Sequence, residues 1–449
     1  MNSNIGSNDE RRESNRVEKV RVRESDLSSQ FKLAYLALTL VAKGASEREA
    51  VQRAATSYPG LNSVKREALA LVLGSVSEQD VLDIDIQNVM SQEKIGVTAR
   101  SLFRLAAYAI RRLGAKGQIR QIEHILRAIA PNELLPKLEF LIVSLLALDS
   151  LEPPSGLGDS DRVALETHHP VWWVNYCFRN FGRGEAIALL SPTPRPRYLR
   201  VNSLRNRGRT TLPEEIGVLA KRLTRVLSTS GVYVVAGSLS AFAGFFSSGL
   251  LQMQDLASYL AVTAGDPRPG EKVLDLCAAP GAKTAAIAQK MKNQGTVVSV
   301  DYSPVRMKAW RRETQRLGVK IADSVIGDAA RLSLRESFDL TLIDPPCTGT
   351  GVLDRNPRMK WHLSPRSVDR YSILQRRLLE SSAATSSEGG RILYCTCSLT
   401  VEENERVISG FLKSHPEFET RPILEHYGSP GLMGLADCRR FYPHRDQTA

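Results

Sequence analysis

Glu271 to Asp301 reads EKVLDLCAAPGAKTAAIAQKMKNQGTVVSVD, and this stretch decides the fold. Lys272 to Ala278 (KVLDLCA) is an apolar run of strand length, Ala279-Pro280-Gly281-Ala282 is a turn, and Lys283 to Lys290 reads as a helix. A second strand, Thr296 to Val300, runs into Asp301, 20 residues past Gly281. Strand, tight loop, helix and parallel strand predict an α/β, Rossmann-like, doubly wound sheet. In such a sheet the loop and the acid meet at the carboxyl edge.

An acid at that distance is placed to accept hydrogen bonds from a ribose diol. The loop lacks both G-x-G-x-x-G and G-x-x-x-x-G-K-[ST], so it offers neither a dinucleotide cradle nor a P-loop. A nucleoside-bearing cofactor without a pyrophosphate, S-adenosylmethionine, fits best. The candidate cofactor set is Cys277, Ala278, Ala279, Pro280, Gly281, Ala282, Lys283, Asp301, Arg306, Asp328 and Asp344. Asp328 closes the strand-like Val325-Ile326-Gly327, where a carboxylate could read an adenine amine. Phe338 to Ile343 runs into Asp344-Pro345-Pro346-Cys347, whose prolines end a strand.

Downstream, Arg391 to Cys397 (RILYCTC) predicts another strand, followed by Ser398 and a helix. Thr400 and Glu403 have capping-box spacing, which places Cys397 just ahead of a helix N-terminus. There the dipole favours a thiolate. Cys395 and Cys277 read instead as small core hydrophobes.

The chain has 449 residues, long enough for about three domains. Sixty Lys and Arg against 48 Asp and Glu leave a formal charge of +12, which points to a polyanionic partner, nucleic acid first. A composition that is 42% hydrophobic excludes wholesale disorder. No apolar run approaches the roughly 18 residues of a membrane span. Six Cys without a C-x-x-C pair argue for reduced thiols, no structural zinc and a cytoplasmic protein.

Residues 1–28 carry six acids and six bases with few large apolar groups, and are expected to be a disordered tail. Residues 29–150 show helical periodicity: Leu102, Leu105, Ala106, Ala109, Ile110 and Leu113 form one stripe, and Leu134, Leu138, Leu141, Ile142 and Leu145 another. Gly74 is expected near a helix end. Pro, Gly, Ser and Asp over residues 149–162 predict a domain boundary. Residues 151–265 are expected to be a linker and a small α+β region, and residues 266–449 the cofactor-binding domain. Arg195, Arg197, Arg200, Arg205, Arg207 and Arg209 follow one another without an acid, with Tyr198 and Asn202 among them, as suits RNA.

Four segments, Cys277 to Thr284 (CAAPGAKT), Asp344 to Gly351 (DPPCTGTG), Arg355 to Trp361 (RNPRMKW) and Tyr394 to Glu403 (YCTCSLTVEE), resemble successive motifs of the Sun/Nop family of RNA cytosine-5 methyltransferases. Arg200-Val201-Asn202 and Gln254 to Ser258 resemble its pre-catalytic signatures. Leu102 to Ile110 resembles the NusB-like domain of its RsmB branch. The resemblance implies a multidomain chain: an all-α NusB-like RNA-binding domain, an RRM-like region, then the methyltransferase domain. Ala282 departs from the family's second glycine, and Thr348 stands where Ser is common. The chain stops at Ala449 where relatives usually continue into a strand with Gly-Phe-Phe.

Carbon 5 of cytosine is a poor nucleophile until a thiolate adds to carbon 6, and that role is assigned to Cys397. Asp344 would hydrogen-bond the ring-nitrogen and amine edge. The resemblance implies that Cys347 assists release. The base must be single-stranded or flipped out. Tyr198 and Trp361 are candidates to stack on it, and Arg200, Asn202, Arg355, Arg358 and Lys360 to hold the RNA. Small-subunit rRNA is the favoured substrate, and a monomer is expected. Alternatives are a tRNA cytosine-5 methyltransferase, a uracil-directed enzyme, or a non-catalytic NusB-like RNA-binding protein. An amino-group methyltransferase is disfavoured because Cys347 replaces the aromatic that would follow its prolines.

Overall fold

The computed structural model describes residues 26–90, 94–113, 118–147, 156–226, 231–332, 334 and 336–449. Most of the expected tail (1–28) and part of the expected linker therefore lie outside the described residues. Residues 26–28 of that expected tail are already helical. The chain forms two compact units. The first comprises residues up to Arg183 together with Leu353–His362, and the second Gly184–Val352 with Leu363–Ala449.

The first unit is helical: α1 (residues 26–42), α2 (Glu47–Ser57), α3 (Lys65–Ser77), α4 (Gln79–Val89), α5 (Val97–Tyr108), α6 (Ile119–Ile129), α7 (Leu135–Ala147), α8 (Asp159–Thr167) and α9 (Val171–Phe181). On α5, Leu102, Leu105 and Ala106 are buried as the periodicity requires. The stripe does not run on to Leu113. Ala109–Leu113 is a single π turn. Its wider winding rotates the following side chains off the stripe, and Leu113 is exposed. Leu138, Leu141, Ile142 and Leu145 of α7 are buried, whereas Leu134 closes the preceding 3-10 turn. Gly74 lies inside α3, not at its end; a Cβ there would stand 2.1 Å from the Tyr108 hydroxyl, so the glycine admits that ring.

The expected boundary near residue 150 is displaced, because α8 and α9 belong to the first unit. Trp173, Val174, Tyr176 and Cys177 of α9 are buried, and the Trp173 and Tyr176 rings stack at 5.2 Å. Turn residues mark where a helix breaks, not whether the next helix joins the same core.

The second unit opens on α10 (Arg183–Leu190) and a small antiparallel sheet of β1 (Arg197–Val201), β2 (Leu223–Arg225), β3 (Val232–Val235) and β4 (Leu251–Met253), in the order β2-β3-β1-β4. A short helix, α11 (Ala243–Ser247), precedes β4, and α12 (Leu256–Gly265) follows it. Then come β5 (Lys272–Leu276), α13 (Ala282–Lys290), β6 (Thr296–Asp301), α14 (Pro304–Leu317), β7 (Ala322–Ile326) and β8 (Phe338–Ile343). A short helix of the first unit, α15 (Arg358–His362), interrupts the series. It resumes with α16 (Pro365–Ala383), β9 (Ser386–Tyr394), α17 (Glu405–Ser414) and α18 (Pro443–Asp446).

β5 to β9 form one parallel sheet in the order β7-β6-β5-β8-β9, the doubly wound arrangement expected. Both faces are covered. Leu274 and Leu276 pack with Leu378 and Leu379 of α16 and Val407 and Phe411 of α17. Val273, Val297 and Leu340 pack with Val262 of α12 and Ala286 and Ile287 of α13. That double burial is why β5 and β8 read as near-continuous apolar runs. The carboxyl ends of β5, β6 and β8 gather the residues of the candidate site along one edge.

Candidate active site

β5 ends at Leu276, and the chain turns at once. Cys277 has a φ of 63° and Gly281 a φ of 108°. Gly281 is the residue before α13, and a Cβ on it would approach Trp310 to 3.1 Å. Glycine is required there for both conformation and space. Ala278 N–H donates to the Val300 carbonyl at 3.0 Å, and Ala279 N–H to the Asp301 carboxylate at 3.3 Å. The loop is thus pinned to the end of β6. Asp301 is buried, also accepts from Ser303 N–H at 3.0 Å, and pairs with Arg306 at 3.0 Å. Arg306 in turn donates to the Ala279 carbonyl. Cys277 to Ala282, Asp301 and Arg306 therefore form one bonded unit. Asp328 lies apart from that bonding: its exposed carboxylate caps the turn at Ala329–Arg331, accepting from Ala330 N–H at 3.0 Å.

Lys283, the second residue of α13, bridges this loop to the end of β8: its Nζ lies 2.7 Å from Asp344 Oδ2. Burial opposes its charge, but the Asp344 carboxylate, by its charge and its hydrogen bond, outweighs that cost and holds the ammonium firmly protonated. Cys395 Sγ lies 3.9 Å from Asp344 Oδ1, and burial pushes its thiol up to about 12. Cys277 is likewise pushed up to about 12 by burial. Neither is a thiolate near neutral pH.

The Cys347 and Cys397 sulfurs stand 3.2 Å apart. The Cys347 thiol donates to Cys397, which holds Cys397 below the usual thiol range against burial and the Asp344 charge, with help from Lys283. That hydrogen bond, followed by burial, raises Cys347 well above the usual range. The expected source of Cys397 activation is therefore corrected. α17 starts only at Glu405, with Asn404 and not Thr400 at its N-cap position. α17 thus begins eight residues past Cys397, not directly after it. The Thr400–Glu403 pair is a buried contact in which the Thr400 hydroxyl donates to Glu403 at 2.7 Å.

Five residues expected on the RNA face are elsewhere. Arg200 and Asn202 are buried. Arg200 donates to Gln254 at 2.8 Å and to Gln289, and burial lowers its pKa to about 10. Asn202 donates to the carbonyls of Gly249 and Leu317 at 2.7 and 2.8 Å. Both tie β1 to α13 and α14. Tyr198 is buried too, with its hydroxyl on the Gln447 carbonyl. Lys360 is buried in the first unit and donates to Ser77 at 3.3 Å. Beside it Trp361 packs against the helical core and donates to the Val76 carbonyl at 2.7 Å. Of the same segment, Arg358 N–H donates to Glu47 at 2.7 Å, and the Arg355 carbonyl accepts from Arg48 at 3.0 Å. Arg207 and Arg209 do remain exposed.

Two buried acids are not among the expected site residues. Asp275 on β5 is raised to about 7 by burial and accepts from Thr284, whose hydroxyl accepts from Trp310 Nε1 at 2.9 Å. An acid inside the apolar run KVLDL is the signal for it. Glu403 is the other. Among the described residues no group of His, Cys, Asp and Glu could hold a metal ion.

A parallel sheet in this order, with a glycine turn after its first strand and a buried acid closing the second, defines a Rossmann-like methyltransferase domain. Residues 262–449 match the family described as 16S rRNA methyltransferase RsmB/F, in keeping with the resemblance of the motifs to the Sun/Nop family. It is 34% identical over 285 residues to a probable ribosomal RNA small subunit methyltransferase B of Bacillus subtilis, covering 62% of each chain. A 28S rRNA (cytosine-C(5))-methyltransferase of Mus musculus is 36% identical over 59% of this chain and 35% of its own. The alignments thus span under two thirds of either relative. A crystal structure described as PH0851 superposes with a TM-score of 0.80 at 26% identity, over 94% of this chain and 96% of that one.

Proposed function

We propose that the protein is an RNA cytosine-C5 methyltransferase that uses S-adenosylmethionine and acts on ribosomal RNA, small-subunit rRNA first. The observation that carries this reading is the pair of thiols 3.2 Å apart beside the Lys283–Asp344 bridge, at the edge that also bears Asp301. The relatives' names, which specify rRNA and cytosine C5, support the substrate and the position.

The residues present fit the cofactor: a loop with a required glycine, a buried acceptor at the second strand end, and no second glycine cradle. When bound, S-adenosylmethionine supplies a methyl group on a sulfonium. Asp301 and the Cys277–Gly281 loop would hold its nucleoside part, and Asp328 its adenine edge. Cys397, the more acidic thiol, attacks carbon 6 of the target cytosine and makes carbon 5 nucleophilic. Asp344, steadied by Lys283, binds the ring-nitrogen and amine edge. Once carbon 5 has lost its proton, the Cys397 sulfur is eliminated, and Cys347 assists that release.

The order of the small sheet, with a 3-10 segment (Glu214–Arg222) between β1 and β2 and α11 before β4, supports an RRM-like region, and the N-terminal helices a NusB-like one. Exposed Arg207 and Arg209 suit phosphate contacts. Among the described residues no helix is long and apolar enough to cross a membrane, in keeping with a cytoplasmic rRNA enzyme.

The test is transfer of a labelled methyl group from S-adenosylmethionine to small-subunit rRNA, followed by nucleoside analysis. The expected product is 5-methylcytidine. Label in a uridine derivative, or cofactor binding without transfer to any cytosine, refutes the reading.

A further inference from the structure

The two loops that carry the thiols converge on one buried carboxylate. Glu403 is fully buried. Its Oε1 accepts from the backbone N–H of Thr348, the residue after Cys347, at 2.8 Å, and from Gln375 Nε2 of α16 at 3.1 Å. Its Oε2 accepts from the hydroxyl of Ser398, the residue after Cys397, at 2.6 Å, from Thr400 at 2.7 Å, and from the Thr348 hydroxyl. Gln375 also donates to the carbonyl of Pro346, the residue before Cys347, at 3.0 Å. The Thr348 and Ser398 hydroxyls are themselves 3.0 Å apart. Five donors on one carboxylate exceed anything a helix cap requires, and they come from both loops and from the helix between them.

We propose that Glu403 is a positioning residue that holds Cys347 and Cys397 within hydrogen-bond distance by fastening the loop behind each thiol. This deepens the reading of the site as a two-thiol methyltransferase centre and rests on it. Two thiols on separate loops keep a 3.2 Å separation only while both backbones are held. The only donors to Glu403 from the thiol loops are on Thr348, Ser398 and Thr400; neither sulfur bonds to it among the described contacts.

The positioning and purely electrostatic roles predict opposite signs. The groups facing Cys397 are Cys347, Asp344, Lys283, Glu403 and neighbouring Cys395. The Glu403 charge by itself raises Cys397, whereas the hydrogen bond from Cys347 lowers it. Glu403→Gln removes the charge and replaces one acceptor by a donor facing the hydroxyls. If Glu403 holds the loops, the Cys347–Cys397 bond loosens and Cys397 becomes less acidic. If only its charge matters, Cys397 becomes more acidic.

The experiment is iodoacetamide alkylation of the full chain across pH, with Cys397 followed by peptide mass spectrometry and no RNA present. For Glu403→Gln the midpoint should rise by about one pH unit, which means roughly tenfold less thiolate below the midpoint. S-adenosylmethionine affinity should stay unchanged, since the 277–283 loop and Asp301 are untouched. Thr348→Val, which cuts one fastening and leaves the carboxylate, should give a smaller rise; it carries the test if Glu403→Gln fails to bind cofactor. A midpoint that falls or stays put in the folded variant overturns the proposal. A normal alkylation profile with no cytosine methylation in the wild type sinks the methyltransferase reading instead.

Discussion

Asp301→Ala tests the cofactor edge most directly. The carboxylate is buried, and three groups of its own unit already hold it in place: the N–H groups of Ala279 and Ser303, and Arg306. A ribose diol would add hydrogen bonds to an ionised acceptor, worth about 1.5–3 kcal/mol once the existing partners' share is allowed for. That corresponds to a Kd for S-adenosylmethionine raised about 10- to 150-fold. The loop should also lose its bond from Ala279, while Arg306, 42% exposed and still able to reach the Ala279 carbonyl, can turn to water at little cost. Stability should therefore fall by no more than about 1–2 kcal/mol. Isothermal titration calorimetry at fixed ionic strength gives the Kd, and thermal unfolding gives the control. Asp301→Asn, which keeps one oxygen, should fall between the two. A Kd within about twofold of wild type in the folded Asp301→Ala protein would falsify the assignment and move the ribose elsewhere.

The thiols should separate by function. With cofactor and substrate RNA present, Cys347→Ala should accumulate a denaturation-resistant protein–RNA adduct, Cys397→Ala should form none, and the double variant none. An adduct with Cys397→Ala in its place would exchange the two roles. Burial lowers Lys360 to about 8 against the opposing charges of Asp80, Asp354 and Glu78. The folded chain then releases this proton before the unfolded one, so the stability lost to burying the charge, about 3 kcal/mol, is recovered as pH rises from about 8 towards 10.4. The difference in thermal stability between wild type and Lys360→Met should shrink over that window; a pH-independent difference refutes the burial of this charge. Arg440 and Glu405 form a buried pair, 6% and 3% exposed, with Arg440 Nε 2.6 Å from Glu405 Oε1. Arg440→Met should cost about 3–5 kcal/mol in denaturant unfolding, and Glu405→Gln added to it should restore part of that; a single-variant loss under about 1 kcal/mol contradicts the burial.

Local chemistry made much of this protein readable from its residues alone. The apolar runs at Lys272, Thr296 and Phe338, the turn at Ala279–Gly281 and the acids closing the strands each depend on neighbours a few positions away. Strand period, turn residues and the carboxyl-edge rule of parallel sheets are properties of short segments, and they place these groups together before any side chain is packed. The tertiary structure decided the rest. Arg200 reads as a surface cation until Gln254 and Gln289, 54 and 89 positions away, supply its buried partners. Trp361 and Lys360 read as RNA contacts until α3 takes them into the helical core. Glu403 reads as a helix cap, yet Thr348 and Gln375, 55 and 28 positions away, make it the anchor of two loops. A polar side chain carries the same sequence signal whether it is solvated or buried, because the cost of burial is removed only by partners that the fold brings from distant segments.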